Sequence, residues 1–112
     1  MTTDIKGVSR AMATVSRKKL DNRWLDDVPD DKVFWCHDGV VVKNLEELAD
    51  ALRKMSGDTY HYHVSRENND FSNWVRDVIG DATLAGELAR TATKTTAARK
   101  VEMRLHSLRA SF

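Results

Sequence analysis

Apolar side chains recur at Ile5, Val8, Met12 and Val15, three and four residues apart, with Ala11 and Ala13 among them. That spacing predicts an amphipathic N-terminal helix. Its far end, Arg17-Lys18-Lys19, is basic and suits the negative end of a helix dipole. Leu20, Trp24 and Leu25 follow. Asp26-Asp27-Val28-Pro29-Asp30-Asp31 then sets a proline among carboxylates, which predicts a loop.

The pattern changes at Val33-Phe34-Trp35-Cys36-His37 and Val40-Val41-Val42, two β-prone runs separated by Asp38-Gly39. Asp-Gly between such runs predicts a hairpin with a two-residue type I′ turn, because both central positions need positive φ. In that register His37 faces Val40, Cys36 faces Val41 and Trp35 faces Val42. Trp35, His37, Val40 and Val42 then share one face, and Phe34, Cys36 and Val41 the other.

Helical spacing returns with Leu45, Leu48, Ala49, Leu52 and Met55. Asn44 and Glu47 are placed for a reciprocal cap, and Gly57 is placed as a terminator. Thr59-Tyr60-His61-Tyr62-His63-Val64 has strand composition and offers the hairpin a third strand, with Thr59, His61 and His63 on one face. Beyond the polar connector Ser65–Asn69, the residues Phe71, Trp74, Val75, Val78 and Ile79 predict a helix capped by Asn69 or Asp70 and ended by Gly80. Asp81 caps a helix carrying Leu84, Leu88 and Ala89. A last helix, from Thr95 to about Leu108, aligns Ala97, Val101, Leu105 and Leu108. The biased run Thr91–Ala98 reads as a flexible joint between them.

Phe34-Trp35-Cys36, Asn44-Leu45-Glu46-Glu47-Leu48, Tyr62-His63 and the block from Asn69 to Asp81 with its Asp-Phe-x-x-Trp-Val core together resemble a family of uncharacterised small prokaryotic domains, mainly archaeal, over about residues 33–88. The resemblance implies a compact α+β domain, found alone or attached to other proteins, and no activity. It leaves both basic ends uncovered.

With 112 residues, 41% of them hydrophobic and 31% charged, the chain has the size and composition of one folded domain. The expected architecture is a helix-rich α+β fold: a basic helical arm over 1–24, a compact core over 33–90 and a basic helix over 94–109. Cys36 is the only cysteine, so no internal disulfide forms. No signal peptide, membrane span or lipidation signal is evident, and the expected location is cytoplasmic.

The net charge of +1 conceals segregation. Residues 1–24 hold six basic and two acidic side chains, as do residues 85–112, whereas residues 25–84 hold six basic and thirteen acidic ones. Such asymmetry points to charged partners or to basic ends that neutralise an acidic middle from within.

Cys36, His37, His61 and His63 are the most suggestive cluster, four possible transition-metal ligands. Cys36 and His37 are adjacent and point to opposite faces of a strand, so all four cannot converge, and no metal or cofactor is expected. Capping accounts for Asp70 and Asp81, and core packing for Phe71 and Trp74. No catalytic triad, phosphate loop or zinc-protease motif is present, and the chain is not expected to be an enzyme. The basic ends are the stronger lead. Arg10, Arg17, Lys18, Lys19, Arg99, Lys100 and Arg104 are the candidate contacts to nucleic acid or a nucleoprotein particle, through phosphates or structured RNA and not through base-specific readout. The alternative is a protein-interaction or oligomerisation module built on the apolar helix stripes. A small metal-dependent enzyme at the hairpin histidines is the third reading.

Overall fold

Local capping chemistry sets most of the helix starts. In a computed structural model, which describes residues 23–110, two short 3₁₀ turns, Arg23–Leu25 and Asp30–Lys32, lead into a hairpin of β1 (Phe34–Trp35) and β2 (Val41–Val42). Then come α1 (Leu45–Lys54), α2 (Gly57–His63), α3 (Asp70–Trp74), a π-helical turn (Val75–Ile79), α4 (Ala82–Ala89) and α5 (Lys94–Ala110). The fold is α+β and rich in helix. The expected helix over Ile5–Val15, with Arg10, Arg17, Lys18 and Lys19, lies outside the described residues.

Asn44, Asn69 and Asp81 each accept a hydrogen bond from the backbone N–H three residues on, as their positions predict. Glu47 reaches back one residue further than a capping box does and accepts from the Lys43 N–H. Gly80, at φ 94°, ends the helix begun at Asp70 in the left-handed conformation that favours glycine. Of the expected joint over Thr91–Ala98, the structure leaves Thr91–Thr93 outside helix; the Thr93 hydroxyl accepts from the Thr96 N–H, and α5 starts at Lys94.

Two expectations fail. The segment Thr59–Val64 is not a strand but the body of α2, with only a single bridge between Val64 and Asn69. Gly57, expected to terminate a helix, opens this one, and the Ser56 hydroxyl caps it by accepting from the Thr59 N–H. Burial of Thr59, Tyr60 and His63 against exposure of His61 and Tyr62 follows the helical period and not alternation.

The hairpin register is also one residue off. Phe34 pairs with Val42 and Trp35 with Val41. The Cys36 N–H donates to Val40 O, and the Gly39 N–H to Cys36 O, so the loop has three residues, with Gly39 at φ 94° as the bulge. Shifting the register by one residue re-sorts the faces. Phe34, Cys36 and Val42 point inward, while Trp35, Val40 and Val41 are exposed.

The core is one cluster. α1 and α5 form the most extensive helix pair and run antiparallel, burying Leu45, Leu48 and Leu52 together with Val101, Leu105 and Leu108. Each such side chain contributes about 2 kcal/mol by leaving water. Phe34 stacks on Phe71 with ring centroids 5.0 Å apart and meets Trp74 edge-on at 6.0 Å. The Trp74 indole N–H donates to Lys32 O at 2.8 Å.

Candidate functional site

The hairpin tip is held by a histidine. His63, on the last turn of α2, is only 6% exposed. Its Nε2 accepts from the His37 N–H at 2.9 Å, and its Nδ1 lies 3.0 Å from Asp70 Oδ2. A backbone N–H can only donate, so Nε2 carries the lone pair and Nδ1 carries the proton that Asp70 receives. The arrangement resembles a catalytic His–Asp pair, but the nitrogen that would act as a base is already occupied by the main chain. The pair joins the hairpin to α2 and α3. Asp70, expected to cap, instead orients His63 and accepts from the Asn68 amide, while Asn69 caps α3.

The side chains of the four residues singled out for metal chemistry do not converge on one point. Cys36 is buried, and burial, with Asp38 adding to it, pushes its thiol up to about 11. That thiol is a poor nucleophile at neutral pH. His61 is exposed, and the His37 ring stacks on Tyr62 at 3.9 Å and 15°. Among the described residues no group of three or more histidine, cysteine, aspartate or glutamate side chains is placed to hold a metal ion.

What the hairpin presents outward is apolar and aromatic. Trp35 is 67% exposed and Tyr62, on α2, 64%, and Val40 and Val41 of the hairpin are 46% and 39% exposed. Trp35 and Val41 are cross-strand partners on the solvent face. His37 carries Tyr62 against the loop, and His63 fixes the loop to the core. Sequence reasoning had put Trp35 on one face with Val42, which the structure buries, and made Tyr62 a strand residue. The missed signal is the helical period of Thr59, Tyr60 and His63.

The basic residues of α5 are distributed differently from expectation. Arg104, a predicted phosphate contact, is turned inward. Its guanidinium donates to both oxygens of Asp81, at 2.7 and 3.1 Å, and covers the Trp24 ring at 5.4 Å. Asp81 is wholly buried, so this pair is part of the framework. Arg109 pairs with Glu46, Lys94 donates to Arg53 O, and Arg53 pairs with Glu102, which raises the Arg53 pKa chiefly through that hydrogen bond. Of the candidate contacts within the described residues, Arg99 is exposed and Lys100 partly so.

Comparison with known proteins identifies a family of unknown function, DUF5752, whose match spans residues 39–108. The chain belongs to this family. The DUF5752 match starts in the hairpin loop and runs through α5 to Leu108, so the C-terminal helix is part of the family's domain and not an appendage to it. That agrees with the burial of Val101, Leu105 and Leu108 in the common core. No curated protein and no solved structure matches the chain. No described helix is long and apolar enough to cross a membrane.

Proposed function

We propose that this DUF5752 domain is a non-enzymatic protein-docking module whose working surface is the hairpin, in preference to a nucleic-acid module working through its basic ends. The observation that carries this reading is the exposure of Trp35 on the hairpin and Tyr62 on α2, each about two-thirds open to solvent, on two elements joined by the bond from the His37 N–H to His63. Large aromatics are the commonest anchors of protein interfaces, and holding them in place lowers the entropy lost on binding. The cations of α5 speak less strongly for phosphate contacts, since Arg104 is held within the domain by the buried Asp81.

The test is site-specific photocrosslinking from position 62 and from position 100 in cells. Crosslinks from position 62 to a defined protein, resistant to nuclease and lost in Trp35→Ala, are expected. Crosslinks confined to position 100 and consisting of nucleic acid would overturn the reading in favour of the phosphate-binding one.

A further inference from the structure

Near the tip of the hairpin one residue of the β2 edge, Val41, stands open beside a charged groove, while two residues further along the same edge Lys43 is engaged, its C=O accepting from the Val28 N–H and its own N–H donating to Glu47. In an antiparallel ladder, pairs that exchange hydrogen bonds alternate with pairs that do not. The bond from the Cys36 N–H to Val40 O places a bonded step at Cys36 and Val40, so Phe34 and Val42 form the next bonded pair and Trp35 and Val41 the unbonded one between them. The N–H and C=O of Val41 therefore point away from β1. No other described segment bonds to them.

Next to that edge lies a groove of about 440 Å³ lined by Asp38, Val40, Val41, Glu47, Asp50, Ala51, Lys54 and Met55. Valine, alanine and methionine line its apolar part, and three carboxylates face one ammonium group around it. Asp50 is bound by Lys54 and Arg53, and the hydrogen bond from Lys54 is the main cause of its lowered pKa. These are exposed ion pairs, which an incoming cation can exchange at little cost.

We infer that the edge of β2 receives an extended segment of a partner protein in which basic and apolar residues alternate. The segment adds a third strand by bonding to Val41. Its apolar side chains lie over Val41 and Trp35, and its lysines or arginines face Glu47 and Asp50 on α1. Main-chain bonds would supply affinity and the alternation would supply specificity, as in strand addition generally. The inference rests on the docking reading above and narrows it to one partner chemistry.

The test uses the full chain and a fluorescein-labelled heptapeptide, Lys-Val-Lys-Val-Lys-Val-Lys, read by fluorescence anisotropy. Binding is expected to weaken as salt is raised, to fall tenfold or more when alternate peptide nitrogens are methylated, and to be lost when glutamate replaces lysine. Val41→Pro removes the outward N–H without touching a ladder bond and should reproduce the tenfold loss. Asp50→Asn should weaken binding several-fold and flatten its salt dependence. If the proline variant misfolds, the methylated peptides, tested in both registers, still decide. Equal binding of methylated and unmethylated peptides, or no binding at all, would overturn strand addition. So would self-association of the protein that Val41→Pro abolishes, since the edge would then be filled by a second copy. Nuclease-resistant protein crosslinks from position 62 that persist while the peptide fails would discard strand addition and leave the docking reading standing.

Discussion

Cys36 sits where the loop of the hairpin meets the core, and its buried thiol makes the fold sensitive to alkali. An unfolded thiol ionises near 9.0, whereas the folded one holds its proton up to about 11. Above pH 9 the unfolded chain therefore binds fewer protons than the folded one, and ionisation favours unfolding. The contribution of Cys36 to stability is intact below pH 9 and declines progressively between 9 and about 11. Urea midpoints measured across that window should fall more steeply for the wild type than for Cys36→Ala, which isolates the thiol from other groups that titrate there. Parallel curves for the two proteins would refute this. His63 acts at the same scale: its two ring nitrogens join the hairpin, α2 and α3. The sequence singled out His63, but its partners, 26 and 7 residues away, were not legible there.

At the scale of elements, α2 shows a composition overruled by context. Tyr60-His61-Tyr62-His63-Val64 favours a strand, yet Ser56 supplies an N-cap and Thr59, Tyr60 and His63 bury one helical face. β-propensity measures fit to a pleated, half-buried surface, and the two-stranded hairpin offers no partner there. If the helix depends on its cap, Ser56→Ala should destabilise the protein by about 1 kcal/mol in chemical denaturation. A change near zero would mean that packing alone sustains α2. In the hairpin, Asp-Gly correctly marked a turn, but a three-residue loop with a bulge accepts the same dipeptide as a two-residue turn. The inward burial of Phe34 and Val42 selects between them.

Across the whole molecule, Asp81 ties distant segments together. It caps α4, receives Arg104 from α5, and through Arg104 meets Trp24 ahead of the hairpin. Arg104→Ala strands a buried carboxylate and should cost about 3–5 kcal/mol. Combining Asp81→Asn with Arg104→Met should recover most of that loss, because an amide still accepts from the Leu84 N–H and no charge is left unpaired. A double variant no more stable than Arg104→Ala would show that the charge itself is needed. The same pair shows what charge density along α5 leaves out: Arg104 is claimed by a buried carboxylate on another element.

The sequence by itself determined the helix-rich α+β class, the caps at Asn44, Asn69 and Asp81, the stop at Gly80, and the apolar stripes of α1 and α5. These follow from periodicity and from hydrogen bonds reaching three residues or so, which a linear reading contains. Only the tertiary structure decided the register of the hairpin, the helical state of α2, the inward turn of Arg104 and the outward turn of Trp35. Each depends on which surface a segment meets across the core, and the energy of that burial exceeds the local preferences that the sequence displays.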